Sequence, residues 1–460
     1  MRRYPLSWCA VVVCAVCTVC AGCSVAPVQR VPQPLAAPAA WSSPVPAGGT
    51  PLAGWWRGFG DPLLVELVAA AEQANTEVRS AQANLARARA LRDAAAAGLG
   101  PVLSASVSAQ RSEGGGRAGS TLYSAGFDAA WEPDVFGAVG HGVAASDADA
   151  RASAAALAAT QVSVAAEVAM GYLQLRGVQA RLALARENLA LQEQTLQITQ
   201  WRTQAGLASS IELAQARTAV EQTRAQLPLL QASAAQAAHA LGVLTGQAPE
   251  ALLPRLGIAA ALPGPPAELE IAIPVRTLRQ RPDVLAAEAQ LQAAAERVAQ
   301  ADAERRPTLQ LRASLAWDAL TLGSLGSTAA ARSLVASLAQ PVFDGGQRKA
   351  QLAAQQAGFE AAQQAYTARV LAALQEVEDA LVALEASRAR IAALAAAAES
   401  ARLAAQLAGQ RHASGLVDFQ VVLETQRTLL GAQDNLASAQ TDWATDHVRL
   451  YKALGGGWNP

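Results

Sequence analysis

The feature that most constrains this chain is a long stretch without proline. The chain contains 22 prolines, yet none lies between Pro341 and Pro460. An interior proline removes a backbone donor and clashes with the preceding turn, so a proline-free stretch rich in alanine and leucine favours long helices. From Gly346 to about Arg411 the sequence predicts one helix of about 65 residues, or about 100 Å at 1.5 Å per residue. A helix of that length reaches beyond the core of a compact domain.

A similar stretch, from Gly137 to about Thr203, belongs to an internal repeat. Four landmarks recur in the same order at an offset of about 200 residues. The pairs are NTEVRSAQANLARA at Asn75 with RPDVLAAEAQLQAA at Arg281, Pro101 with Pro307, DVFGAVG at Asp134 with PVFDGGQ at Pro341, and RTQAGLAS at Arg202 with RHASGLVD at Arg411. Each copy is predicted to form a helix, two strands and two further helices.

The repeat also gives the domain boundaries. The predicted segments are a lipoprotein signal peptide at 1–22, an extended N-terminal segment at 23–60, a first repeat at 61–246, a Pro-rich linker at 247–273, a second repeat at 274–454 and a C-terminal tail at 455–460.

Period-two alternation predicts two strands in each repeat. The apolar positions are Leu103, Ala105, Val107 and Ala109, then Tyr123, Ala125, Phe127, Ala129 and Trp131, and in the second copy Leu309, Leu311, Ala313, Leu315 and Trp317, then Leu334, Ala336 and Leu338. An outer-membrane barrel needs such strands, because in lipid every backbone group must be paired. Four strands cannot close a barrel, whereas three chains would supply twelve. A soluble sheet packed on helices would show the same alternation.

Leucines on the first long helix form two heptad series. One series is Leu175, Leu182, Leu189 and Leu196, and the other is Leu184, Leu191 and Ile198. The two series are offset by two residues, which corresponds to about 200° around a helix, so they lie on nearly opposite flanks. A wall of helices with neighbours on both flanks can close into a tube. An ordinary long coiled coil, which needs one seam, is the alternative.

The N-terminus has the pattern of an export signal, with a basic end followed by a short apolar run. All five cysteines lie there, the last being Cys23. The sequence CAGCS resembles the lipobox of bacterial lipoproteins, with Cys23 as the residue that carries the covalent lipid. Ser24 is not the aspartate that marks retention at the inner membrane, so the resemblance favours the outer membrane. An ordinary signal cleaved near Ala21 is the alternative.

The composition argues against nucleic-acid binding and against an enzyme. The chain has 36 basic and 37 acidic residues, so it lacks the electrostatic footprint of a nucleic-acid partner. Its two lysines, Lys349 and Lys452, are not in a phosphate-binding loop, and its four histidines lack the spacing of a metal site. No nucleophile motif of the GxSxG type occurs. We therefore expect no catalytic activity, and no cofactor besides the lipid.

Four segments resemble a known family. They are WWRGFGDPLLVELVAAAEQAN from Trp55, LRQRPDVLAAEAQL from Leu278, QPVFDGG from Gln340 and GLVDFQVVLETQ from Gly415. They are similar to the outer-membrane factor lipoproteins of tripartite (RND-type) efflux systems, the NodT family. The resemblance implies a mixed, mainly α fold in which a homotrimer forms a 12-stranded transmembrane β-barrel continued by a long periplasmic α-helical barrel.

The same resemblance implies a function and its partners. The chain would be the passive exit duct for drugs or other small toxic compounds across the periplasm and the outer membrane. Its partners would be outer-membrane lipid, a periplasmic adaptor and an inner-membrane pump. Two alternatives stay open at this point, a conduit for type I protein secretion and a lipid-anchored coiled-coil spacer.

The turns at Gly206 and Gly415 are predicted to form the far, periplasmic tips of the helices. The gate candidates are Asp418, Glu424, Arg411 and His412. Rings of carboxylates around a narrow pore would attract cations. Neighbouring arginines such as Arg411 would pair with these carboxylates and hold the pore closed. Members of the family often have tyrosine where this chain has His412, and a carboxylate where it has Val421. Solvated acids at the start of a helix are the simpler interpretation.

Overall fold

A computed structural model of the chain describes residues 40–42, 52–114, 117–265 and 274–458. The predicted signal peptide and Cys23 lie outside these residues. The chain divides into two compact units, of which one contains Ala96–Ala144 and Ala294–Phe359 and the other contains most of the helices. The fold is mainly helical with one four-stranded sheet, as the sequence predicts.

The elements follow the predicted repeat. The helices are α1 Pro62–Ala74, α2 Thr76–Ala97, α3 Ala138–Gln204, α4 Ser210–Leu244, α5 Leu253–Leu256, α6 Pro274–Gln280, α7 Pro282–Ala303, α8 Gln347–Ala413 and α9 Phe419–Ala453. The strands are β1 Val102–Gly114, β2 Arg117–Trp131, β3 Thr308–Ala319 and β4 Ala331–Ala339. The two long helices are confirmed, since α3 and α8 each contain 67 residues.

The first helix of each repeat differs from the prediction, because it consists of two consecutive helices. In the first copy the break lies at Asn75, whose extended backbone ends α1 and whose side-chain oxygen accepts from the backbone N–H of Glu77 at 2.8 Å. In the second copy the break lies at Arg281. Pro282 disfavours the helical conformation of the residue before it and suits the first position of α7.

A proline also lies inside a helix. Pro228 is part of α4, which continues through it from Ser210 to Leu244. An interior proline costs about 3 kcal/mol in a helix. Buried residues of α4 on both sides of it, such as Val220 and Leu241, offset that cost by packing. The absence of proline therefore favours a long helix, but its presence does not exclude one.

The four strands form one antiparallel sheet in the order β1-β2-β3-β4. The pairing of β2 with β3 joins the hairpins of the two repeats. Among the described residues, the edge strands are uncovered on the apolar face of this sheet, with Val107 81% and Leu334 80% exposed. A soluble sheet packed on helices would bury these side chains.

Small residues let helices of the helical unit pack closely. Where α3 passes α9, a Cβ atom added to Gly177 would lie 2.1 Å from Oγ1 of Thr441. Only glycine allows the two helices to approach so closely, which explains one use of the small residues that dominate the composition. The length and apolar composition of α3 would also suit a membrane span. Its central residues, including Val168 and Leu173, are instead buried among other helices of the chain.

The two leucine series on α3 differ in burial. Leu175 of the first series is fully buried in the chain, whereas Leu191 and Ile198 of the second series are about half exposed. The first series therefore packs against helices of the same chain. The second series leaves an apolar flank half exposed at Leu191 and Ile198 in the described part of a single copy.

A buried polar network ties the described part of the predicted linker to α3. Arg176 donates to Oε1 of Gln179 and to the carbonyl of Ile258, both within 2.8 Å. The hydroxyl of Tyr172 accepts from Arg176 and donates to Asp61 at 2.5 Å. Burial and the bond to Asp61 raise the pKa of Tyr172 to about 12. The segment around Ile258 is thus fixed to the helices.

Candidate functional site

The two long helices, α3 and α8, end in turns of the same type, and each turn forms the tip of its repeat. Gly206 has a φ of 75° and Gly415 has a φ of 71°, in the left-handed region that favours glycine. The residue after each glycine donates to the carbonyl five residues earlier, Leu207 to Arg202 at 2.7 Å, and the second tip has the equivalent bond at 2.9 Å. This is the Schellman ending of a helix. The prediction of turns at these glycines is confirmed.

The helices that return from the tips begin differently. Ser209 starts α4 with a capping box, in which its hydroxyl and the carboxylate of Glu212 each accept a backbone N–H at 3.2 Å. Asp418 occupies the same position before α9, but its side chain accepts no capping hydrogen bond. Val421 stands where the first repeat has Glu212. The carboxylate of Asp418 is therefore exposed to solvent and not used as a cap.

The two tips pack together around one aromatic residue. Phe419, the first residue of α9, is buried in a cluster with Ala216, Ala408 and Val422. This contact joins helices of both repeats. Sequence reasoning missed Phe419 as a site residue, although its place directly after Asp418 marks it as the first apolar residue of the return helix.

His412 links the tips through a hydrogen bond that sequence reasoning did not find. Its Nε2 lies 2.8 Å from Nη1 of Arg202, and its Nδ1 lies 3.1 Å from the carbonyl oxygen of Val417. A guanidinium is only a donor, so Nε2 accepts and Nδ1–H donates. The repeat had already aligned Arg202 with Arg411, and this was the available signal for Arg202.

The other three candidates are exposed and separate within one chain. Glu424 lies 3.7 Å from Arg427, one turn further along α9. No salt bridge of the described residues joins Arg411 to Asp418 or to Glu424. The structure thus places His412 beside Arg202. Within one chain, however, it forms no ion pair between Arg411 and either of the two acids, Asp418 and Glu424.

A polar groove lies between α4 and α9 beside these residues. Glu424 and Arg427 line it together with six glutamines. The glutamines are Gln192, Gln215, Gln222, Gln226, Gln420 and Gln426. Uncharged amides can line an aqueous passage but supply no nucleophile or base. Among the described residues, no three His, Cys, Asp or Glu side chains are placed to hold a metal ion.

Comparison with known proteins places these features in a family context. A family model described as outer membrane efflux protein matches residues 67–247 and 273–456. The pyoverdine export outer membrane protein OpmQ of Pseudomonas putida is 31% identical over 438 residues, which cover 92% of this chain and 93% of OpmQ. Nodulation protein T of Rhizobium leguminosarum is 29% identical over 419 residues, covering 90% and 86% of the two chains. The solved outer-membrane channel OprN is 35% identical, with a TM-score of 0.88 over 95% of this chain and 100% of OprN.

Proposed function

Because the chain belongs to the outer membrane efflux protein family, we propose that three copies of it form the exit duct of a tripartite pump. The protein is an outer-membrane efflux channel component, and it conducts substrates passively. The predicted resemblance to NodT, the mainly helical fold and the outer-membrane location extending into the periplasm are confirmed.

The proposal of a trimer rests on the unpaired edges of the four-stranded sheet. Within the residues that the structure describes, its two outer strands, β1 and β4, have no partner along their outer edges. In hydrocarbon each unpaired backbone group costs several kcal/mol, so a four-stranded sheet has to be closed by strands of other copies. The apolar flank of α3 at Leu191 and Ile198 supports the same arrangement, since a neighbouring copy would cover it.

The substrates proposed for this duct are small organic compounds. Among the relatives, one is named for export of pyoverdine and another for efflux of toluene. The remaining partners are a periplasmic adaptor and an inner-membrane pump. They supply the energy and the recognition of substrate, while the chain itself supplies a path and no catalysis.

Planar lipid bilayers test the channel function directly. Purified protein is expected to insert and produce discrete current steps, since a closed barrel encloses an aqueous path. Protein unfolded before addition serves as the control. The proposal is contradicted if the folded protein inserts without producing current steps, and if a variant without the tip charges of Asp418 and Glu424 also produces none.

The tip acids give a prediction in the same recordings. Three copies place six carboxylates from Asp418 and Glu424 near the proposed constriction, where they would attract cations. The Asp418→Ala/Glu424→Ala variant is expected to lose cation preference and block by multivalent cations while its assembly stays intact. The matched control, Glu385→Ala/Glu399→Ala, removes the same charge from exposed positions of α8 outside the tip. Unchanged selectivity and block in the tip variant would make both acids ordinary solvated residues.

Cys23 gives a prediction for the membrane anchor. A lipobox cysteine is expected to carry fatty acid, so metabolic labelling with a fatty-acid analogue is expected to mark the wild-type chain. The Cys23→Ala variant is expected to remain folded and unlabelled, with looser attachment. An unlabelled wild-type chain would show that the signal is of the ordinary, cleaved kind.

A further inference from the structure

We infer that β4 of one copy pairs with β1 of the next copy in one register, with Leu338 opposite Val107. This inference rests on the trimer proposed above and adds to it the residues that meet. It follows from the repeat, because the contact between the two repeats inside one chain shows how the contact between neighbouring chains is built.

The two hairpins are equivalent residue by residue. Strands β1 and β3 each begin directly after the matched prolines, so Leu103 is the equivalent of Leu309. In the first hairpin Leu103 pairs with Ala129, and in the second Leu309 pairs with Leu338. Ala129 and Leu338 are therefore equivalent as well.

Inside the chain, the repeats meet where β2 pairs with β3. Ala129 lies opposite Ala313 in this junction. A ring of alternating first and second repeats closes when the same junction also joins β4 to β1 of the next copy. The equivalents of Ala129 and Ala313 are Leu338 and Val107, so these two residues face each other. Both residues belong to the apolar face. Residues that face each other across two strands must lie on the same face of the sheet, and lipid would cover this one.

The charged residues of the apolar face agree with this register. On the edge strands they are Arg111 and Glu113 in β1, which lie 2.7 Å apart, and Arg332 in β4. Arg332 forms no salt bridge within the described part of the chain. Transferring the pairing of Tyr123 with Ala319 places Arg332 opposite Glu113 of the next copy. A charge that would otherwise face lipid alone is then paired.

Neighbouring registers are less favourable. A shift by one residue would turn the apolar side chains of β4 to the polar face. A shift by two residues in one direction would set Arg332 opposite Arg111, and like charges directly opposite each other are destabilising. The shift by two in the other direction would carry Arg332 past Gly114, where β1 ends.

The segment that follows β4 supports the same junction. Phe136, after β2, is partly covered and lies 5.9 Å from the guanidinium of Arg306, just before β3. The phenylalanine of the matching motif in the second copy, Phe343, lies two residues closer to its strand and is 91% exposed, and Val342 is 97% exposed. The transferred junction sets Phe343 beside the residues that lead into β1 of the next copy, around the exposed Leu99.

Paired cysteines test the register in the full-length, membrane-inserted protein. The chain has no cysteine after Cys23, so in a Cys23→Ala background the introduced pairs react alone. In the Leu338→Cys/Val107→Cys variant, oxidation is expected to join neighbouring copies into a covalent trimer that is seen on a non-reducing gel and lost on reduction. In the control Leu338→Cys/Leu103→Cys, the second cysteine is four residues, or about 13 Å, from the inferred partner. A second control, Leu338→Cys/Ser108→Cys, places it on the opposite face of the sheet.

The outcomes separate the register from the proposed function. Crosslinking in the first variant and not in the controls supports the inference. Crosslinking in a control only, or in none of the three variants while the mass remains that of a trimer, overturns the register and leaves the duct intact. Monomers in all variants and in the wild type overturn both the register and the proposed trimer.

Discussion

Replacing Arg281 by methionine is expected to destabilise the helical unit by about 3–5 kcal/mol, because one partner of a buried ion pair is removed. The guanidinium is 5% exposed and lies 2.7 Å from Asp283 and 2.6 Å from Glu376. It also donates to the carbonyl oxygen of Ala453 at 2.6 Å. Methionine would fill the space but would leave Asp283, itself 12% exposed, with a weaker countercharge.

A matched control is available on the same carboxylate. Arg369 lies 2.9 Å from Asp283 but is 46% exposed, so Arg369→Met is expected to cost about 1 kcal/mol or less. The measurement is the midpoint of helix loss in urea or on heating, followed by circular dichroism in detergent. Equal midpoints for the two variants would contradict the assignment of Arg281 as the central member of this cluster.

The Arg281 cluster also has an acid dependence. Burial alone would raise the pKa of Asp283, but the hydrogen bonds and charge of Arg281 outweigh burial and hold this pKa below its usual value of 3.8. The folded state therefore favours the ionised form, and the stabilisation is fully present above pH 3.8 and is lost as the pH falls through the lowered pKa. The stability difference between wild type and Arg281→Met is expected to narrow over the same range.

Replacing Gly246 by alanine is expected to destabilise the protein by about 2–5 kcal/mol, because the backbone and the packing both oppose a side chain there. Gly246 ends α4 with a φ of 70°, and a Cβ atom would lie 2.5 Å from the carbonyl oxygen of Ala74. Since that oxygen belongs to backbone, relief requires α1 and α4 to move apart.

Gly206 isolates the conformational part of this effect. Its φ is 75°, but no atom lies within 4 Å of the position of an added Cβ. The Gly206→Ala variant is expected to lose about 1–2 kcal/mol, the cost of a left-handed conformation alone. Thermal midpoints of the two variants measured side by side give the packing part by difference. Midpoints that fall equally would show that the contact with Ala74 relaxes without cost.

The sequence predicted the elements of the fold because their signals are local. The proline-free stretches predicted α3 and α8, and alternation predicted all four strands. The break at Arg281 was within reach as well, because Pro282 constrains the residue before it. The ion cluster of Arg281 was not, since its bond to Ala453 joins residues 172 positions apart. Such contacts depend on how helices pack, which no local pattern contains.

The candidate site was predicted in outline for the same reason. Glycines that require positive φ marked both tips, and the acids that follow Gly415 could be read directly. The hydrogen bond between Arg202 and His412 depends on the rotation of two helices from different repeats. The arrangement of Asp418 and Glu424 around a pore depends on other copies of the chain, so neither could be obtained from one sequence.

The mass of the purified protein in detergent tests most directly the claim that copies of this chain pool their strands into one duct. We expect a protein mass of three chains after subtraction of bound detergent, because the edges of β1 and β4 must be paired in a membrane. A stable, folded monomer in the same detergent would contradict it.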